Sequence, residues 1–382
     1  MKRFLIKGRI ADGTKRAILI EKDTIVDTDW NQTPPTDVKI YDFGEDLILP
    51  GFIDTHVHGG GGFDFVDVTK DSFSAILDLH LSHGTTTVCP TLVSCSWKKT
   101  LDFLAFCDSV KHLPGFGGVH LEGPFLSPHK GGAQNPDCLI LPSKRAAEEL
   151  LEFRQVLKRI TLAPELPGSE EFCKTLQKGG VGLSIGHSAA SAEIVSQAAG
   201  WGCNQITHLF CGTSGRFKIG SYVHGGVEES SLTDDRFTVE LIADGHHVCR
   251  ESFHMTVKCK GTDHVMAVSD AMRAAGEETD ESFLGEIVPK NRVIIEDGVA
   301  KLPDRSSFAG SVTLGDCMFR VLHHRYGFSV EDTAKMMSRT PARILGISSQ
   351  KGTLAPGKIA DIAVLDPSGS IRAVFRHGQK ML

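Results

Sequence analysis

The chain has 382 residues, 41% of them hydrophobic and 23% charged, with 41 basic against 47 acidic side chains and a formal net charge of −6. Its length exceeds one ordinary core and suits a barrel of about 250 residues or more plus a smaller domain, while the negative balance speaks against a general nucleic-acid or anionic-membrane binder. A local basic pocket is still allowed.

Residues 4–10, 17–21, 24–26 and 38–41 read as short strands broken by turns such as Asp12-Gly13. The first ten residues carry Lys2, Arg3, Lys7 and Arg9 and hold no uninterrupted apolar stretch, so no leader is expected. From residue 51 the pattern changes to apolar runs separated by helical stretches: 51–58, 85–92, 118–122, 160–165, 182–187, 205–208, 239–243 and 265–270. Eight such units predict a parallel (β/α)8 barrel over 51–345, with its chemistry at the C-terminal strand ends. Residues 282–305 alternate around a turn at Asp297-Gly298 and predict an inserted hairpin. The tail returns to strands at 352–354, 361–365 and 371–376, so residues 1–50 and 346–382 are expected to pair into one small β-sandwich domain. No run of 18 apolar residues predicts a membrane span, and ten cysteines without a Cys-x-x-Cys pair read as reduced thiols of a cytoplasmic protein.

His56 and His58 close the first run, Glu122 the third, His187 the fifth, His208 the sixth and Asp270 the eighth. Residues two apart on a strand share a side, so both imidazoles of the His-x-His pair can aim into the barrel mouth. Gly59-Gly60-Gly61-Gly62 then lets the backbone turn and leaves room for a ligand. Taken singly, each group also fits a structural histidine or a salt bridge to a helix. Six on five strand ends of one barrel point instead to a divalent ion, since imidazole and carboxylate suit Zn²⁺, Fe²⁺, Mn²⁺ or Co²⁺. Such an ion acidifies water and polarises a carbonyl, and a neighbouring carboxylate can shuttle the proton to a leaving amine.

These residues also carry a resemblance. Pro50-Gly51-Phe52-Ile53-Asp54-x-His56-x-His58 resembles the first strand of the amidohydrolase superfamily, and Lys351-Gly352-Thr353-Leu354-x-Pro356-Gly357-Lys358-x-Ala360-Asp361 is similar to its C-terminal signature. Within it, His120-Leu121-Glu122-Gly123-Pro124, Leu162-Ala163-Pro164-Glu165, Gly186-His187-Ser188, Thr207-His208-Leu209, Ile242-Ala243-Asp244-Gly245-x-His247 and Asp270-Ala271-Met272 resemble the N-acetylglucosamine-6-phosphate deacetylase family, nearly end to end and in the same order.

The resemblance implies hydrolysis of the acetamide of an N-acetylhexosamine 6-phosphate, foremost the glucosamine compound, by a homodimer holding one or two divalent ions per subunit. It implies Glu122, His187 and His208 as ligands of the principal ion, His56 and His58 for a second, and Asp270 as the catalytic acid–base. His247 corresponds to a substrate-contacting histidine, Ala133 and Gln134 to the loop against the sugar and acetamide, and Phe308-Ala309-Gly310 to the loop that closes over the substrate. Two departures stand out. The segment after His208 reads Phe210-Cys211-Gly212-Thr213 where the family has Tyr-Asn-Ala-Met, and Val223 occupies the place of the family's phosphate-gripping arginine, which the resemblance implies is contributed across a dimer interface. Cys211 and Gly212 remain expected substrate contacts, and Arg216 or Lys218, in a loop about four residues longer than usual, are expected to replace the lost charge. Alternatives are the galactosamine isomer or an unphosphorylated N-acyl substrate. More distant are a cyclic-amide hydrolase, whose modified lysine would fall where this chain has Glu165, and a non-catalytic barrel.

Overall fold

Strands Phe52–Val57, Thr85–Leu92, Val119–Glu122, Leu157–Leu162, Gly182–Ile185, Cys203–Ile206, Thr238–Ile242 and Val265–Val268 lie side by side in chain order, all parallel. The computed structural model describes residues 3–33 and 38–382, so Met1 and Lys2 of the N-terminal reading lie outside the described residues. The barrel closes between its first and eighth strands: the His58 N–H donates to the Ala271 carbonyl (2.8 Å) and the Asp270 N–H to the His56 carbonyl (3.1 Å). Nearly every strand residue is buried, as expected of a sheet walled by helices outside and packed side chains inside. The helices begin where the sequence offers caps: Thr69, Ser96 and Ser143 accept from the amides of Ser72, Lys99 and Ala146 to start Lys70–Ser82, Trp97–Val110 and Lys144–Leu151. Phe73, Phe103, Phe125, Phe172 and Phe253, all fully buried, fill the space behind the strands, each worth about 1.5–3 kcal/mol of transfer free energy.

Four apolar runs overshoot the strands they predict by two residues or more, the fourth strand stopping at Leu162, three residues before Glu165. The fifth, sixth and eighth strands stop at Ile185, Ile206 and Val268, two residues before His187, His208 and Asp270. All three of those residues have left-handed backbone (φ 47°, 29° and 52°), which breaks the ladder and turns the side chains over the mouth. Such conformations cost about 1–3 kcal/mol at a non-glycine residue and persist where the surroundings impose them.

The terminal segments form one seven-stranded sheet, ordered Gln379–Lys380, Ile371–Arg376, Ile362–Leu365, Lys39–Pro50, Arg3–Arg9, Lys15–Glu21, Thr24–Asp27. The long strand Lys39–Pro50 pairs with Arg3–Arg9 mainly through its first half and with Ile362–Leu365 through its second, so the sheet folds over. Phe4 then stacks on Phe375 with centroids 5.8 Å apart, and the open edge is tied by the Ile25 N–H donating to the Lys358 carbonyl (2.8 Å). Residues 352–354 are a bend rather than the expected strand. Gly352 has φ 90°, and a Cβ there would sit 2.5 Å from that of Ala342. The insert after the eighth barrel strand has three strands, Glu281–Phe283, Arg292–Glu296 and Val299–Lys301; the last two form the expected hairpin, turning at Asp297 (φ 57°) and Gly298 (φ 77°).

Candidate metal centre and active site

Glu122 is the hub of the barrel mouth. Its Oε1 lies 3.0 Å from His187 Nε2, 2.8 Å from His208 Nε2 and 3.7 Å from His56 Nε2; its Oε2 lies 3.4 Å from His58 Nε2. Asp270 Oδ1 approaches His58 Nε2 (3.1 Å) and His56 Nε2 (3.4 Å) from the closing seam. All six side chains are buried. Two groups, His56/His58/Glu122 and Glu122/His187/His208, have the spacing of metal ligands and share the glutamate.

The outer nitrogens settle what the inner ones offer. His187 Nδ1 faces the Lys130 carbonyl (2.8 Å), His208 Nδ1 the Cys211 carbonyl (2.9 Å), His58 Nδ1 the Thr91 carbonyl (3.2 Å) and His56 Nδ1 the Glu240 carboxylate (3.3 Å). Each of these partners only accepts, so the proton belongs on Nδ1 and Nε2 presents a lone pair. Four nitrogen lone pairs then meet two carboxylates at 2.8–3.7 Å, an arrangement that repels itself without a cation among them. Asp270 Oδ1 is buried and receives no aligned hydrogen bond. The donor set of imidazoles and carboxylates therefore fits one or two divalent ions of the zinc, iron, manganese or cobalt type.

The electrostatics point the same way. Burial opposes charge on His56, but the Asp270 and Glu122 carboxylates raise its pKa well above the ordinary value. His58 and His187 rise for similar reasons. Burial works against Glu122 too, yet the imidazoles of His187, His208 and His56 beside it hold it well below the usual carboxylate range, and Asp270 is lowered against its own burial by His56 and His58. The site is built to keep its carboxylates ionised around positive charge.

Above this floor opens a cavity of about 470 Å³. Of the site residues singled out in the sequence, all but His56, Arg216 and Lys218 line it. His56 lies beneath, wholly buried. Gln134 donates from Nε2 to Glu122 Oε2 (2.6 Å) and accepts the Ser94 amide (2.8 Å), so it braces the hub rather than only facing substrate. His247 is held through Nδ1 by Asp244 Oδ2 (2.6 Å), which leaves Nε2 free, and Phe308 packs on its ring with centroids 4.6 Å apart. Gly212, at φ 64°, comes so close that a Cβ would lie 2.9 Å from His187 Nδ1. Arg216 and Lys218 do not line this chain's own cavity: the long loop turns outward there into a hairpin, Phe217–Ile219 with Tyr222–His224, and both side chains are exposed on it.

Two groups escaped the sequence reading. Glu240, in the middle of the seventh strand, reaches inward to His56 and Thr55 Oγ1 (2.9 Å) and pairs with Arg159, both completely buried. A carboxylate inside an otherwise apolar run was the available signal. Lys301 and Arg305 line the cavity from the insert, where nothing in spacing distinguishes them from surface charges.

The Amidohydrolase family model matches residues 47–381. N-acetylglucosamine-6-phosphate deacetylase of Danio rerio is 31% identical over 345 residues, covering 88% of this chain and 84% of its own length. N-acetylgalactosamine-6-phosphate deacetylase of Escherichia coli O157:H7 is 29% identical over 377 residues, covering 97% and 93%. The structure of N-acetyl-D-glucosamine-6-phosphate deacetylase from Mycobacterium smegmatis in complex with N-acetyl-D-glucosamine-6-phosphate aligns with a TM-score of 0.91 at 27% identity, over 100% of this chain and 99% of that one. The Thermotoga maritima N-acetylglucosamine-6-phosphate deacetylase aligns with a TM-score of 0.85 at 29% identity, over 100% and 99%.

Proposed function

Because this chain belongs to the amidohydrolase family, and within it to the N-acetylglucosamine-6-phosphate deacetylases, we propose that it removes the acetyl group of N-acetyl-D-glucosamine 6-phosphate, releasing acetate and the amino sugar phosphate. The observation that carries this reading is the convergence of four imidazole Nε2 atoms on Glu122 and Asp270. Glu122, His187 and His208 would hold the principal divalent ion, with His56 and His58 offering a second position on the other side of Glu122. When bound, the metal polarises the acetamide carbonyl and acidifies water.

Asp270 accepts the proton of the attacking water at its unpartnered Oδ1 and delivers it to the amide nitrogen as the C–N bond breaks. Glu122 stays ionised throughout, braced by Gln134. His247 offers Nε2 as acceptor to a sugar hydroxyl, its orientation fixed by Asp244. Phe308-Ala309-Gly310 covers the bound sugar and excludes bulk water.

The galactosamine epimer is the second reading, favoured by the Escherichia coli relative that aligns over 97% of this chain. Two further readings complete the proposal. Ile219, Tyr222 and Val223 are 58–76% exposed on the projecting hairpin and suit burial against a second copy of the chain in a homodimer. All ten cysteines are free, in keeping with a reducing cytoplasm, and none of the described helices is long and apolar enough to cross a membrane.

The test is acetate release by metal-loaded protein from both N-acetylhexosamine 6-phosphates and from the unphosphorylated sugars. The highest kcat/KM is expected with the glucosamine 6-phosphate. No acetate from any of them would overturn the reading.

A further inference from the structure

The fourth barrel strand ends at Leu162, and the Ala163-Pro164-Glu165 segment that follows gives no ligand to the metal centre. Glu165 does not line the cavity; it lies on a separate surface groove beside Lys174 and Trp201. The lysines there have other partners. Lys144 pairs with Glu171 and Lys174 with Glu170, and among the described residues Glu165 makes no ion pair. Its carboxylate serves the next loop instead: Oε2 accepts the Ser188 hydroxyl (2.7 Å) and Oε1 the Ala189 N–H (2.6 Å). The segment that carries it is itself tied down, since the Ala163 N–H donates to the Phe125 carbonyl (2.9 Å) and the Ser169 hydroxyl to the Ala163 carbonyl (3.2 Å).

Ser188 and Ala189 directly follow His187, whose left-handed backbone (φ 47°) persists only where its surroundings impose it. The bonds that do so are of two kinds. The His187 carbonyl accepts the Ser127 N–H (2.9 Å) and the Ser188 N–H donates to the Gly212 carbonyl (3.0 Å), both main chain to main chain. The Ser188 hydroxyl accepts the Ala190 N–H (3.1 Å) within the turn itself. Among the described residues, Glu165 is the only side chain of another segment that bonds Ser188 or Ala189. It does so with both carboxylate oxygens, and charge-assisted contacts of this length fix direction as well as strength. A relaxed turn would take His187 Nε2 away from Glu122 Oε1 (3.0 Å) and Nδ1 away from the Lys130 carbonyl (2.8 Å).

We propose that Glu165 is the positioning residue of His187: from outside the cavity it locks the turn that presents Nε2 to the principal ion, and so sets how tightly that ion is held. The proposal rests on the deacetylase reading for the ion but concerns a clamp that can be measured without turnover. Glu165 acts through Ser188 and Ala189 and takes no part in the chemical step. A loop staple of purely structural kind would lower the melting temperature and leave the ion affinity of the folded protein at its wild-type value.

The experiment titrates zinc by calorimetry into metal-free wild type, Glu165→Ala, Glu165→Gln and Ser188→Ala. Circular dichroism verifies the fold, and the absorption spectrum of the cobalt-loaded proteins reports on ligand geometry. Glu165→Ala should weaken the tighter zinc step by about 10–100-fold and change the cobalt spectrum. Ser188→Ala removes one of the two bonds and should fall between wild type and Glu165→Ala. Glu165→Gln keeps an acceptor for the Ala189 N–H and should recover most of the affinity. Wild-type zinc affinity and cobalt spectrum in folded Glu165→Ala and Ser188→Ala would overturn the clamp, as would a Glu165→Gln no better than Glu165→Ala. Should Glu165→Ala fail to fold, Ser188→Ala decides by the same two readouts. Acetate release from N-acetylglucosamine 6-phosphate is measured alongside. If wild type binds zinc yet releases no acetate, the deacetylase reading fails by itself, and the titration still decides the clamp.

Discussion

Floor and rim of the cavity obtain their side chains in different ways. On the floor, Glu122 ends a strand flanked by parallel neighbours, and His187, His208 and Asp270 follow strand ends by two residues, held in left-handed backbone by the barrel around them. A buried pair, Glu240 with Arg159, supports His56 from below. On the rim, Lys301 and Arg305 hang from an insert, both paired with Glu296, and Arg305 is 60% exposed. The floor is over-determined, so its chemistry tolerates little variation. The rim is held by exposed ion pairs worth little each, so it can be rebuilt while the reaction stays the same.

That contrast can be broken by experiment. The largest effect is expected at Asp270. Asp270→Asn keeps the shape but not the proton acceptor, so kcat should drop roughly 100-fold or more while fold and metal content persist. A near-normal kcat would move proton transfer to another group, with His247 the next in reach.

A smaller effect separates the two regions directly. Glu240→Gln leaves the buried Arg159 charge unpaired, and breaking one partner of such a pair costs about 3–5 kcal/mol, so the melting temperature should fall. The same change withdraws the acceptor from His56 Nδ1 and should weaken the ion held with His58 by about 10–100-fold. Glu296→Gln on the rim should leave the melting temperature at the wild-type value. Equal responses from the two variants would erase the distinction.

The floor was legible from the sequence because each candidate ligand terminates an apolar run, a pattern that survives without knowledge of the third dimension. Its precise strand ends were not, since a left-handed histidine leaves no mark in hydrophobic periodicity. Glu240 was readable in principle as a carboxylate among Val239, Leu241 and Ile242, but strand alternation alone does not say which partner an inward carboxylate finds. The rim was opaque. Arg216 and Arg305 look alike in sequence, and only the outward turn of the hairpin at Phe217–Ile219 and the inward overhang of the insert tell them apart. Residues 352–354 failed as a strand for a local reason, the close approach of Gly352 to the helix carrying Ala342.

The central claim is that Glu122, His187 and His208 are the primary ligands of a tightly held divalent ion. Elemental analysis of purified wild type and His187→Ala, with circular dichroism to verify the fold, tests it most directly. Wild type should retain about one ion per chain, and a folded His187→Ala should retain almost none because two remaining protein ligands leave an incomplete shell. Full metal content in folded His187→Ala would contradict the account.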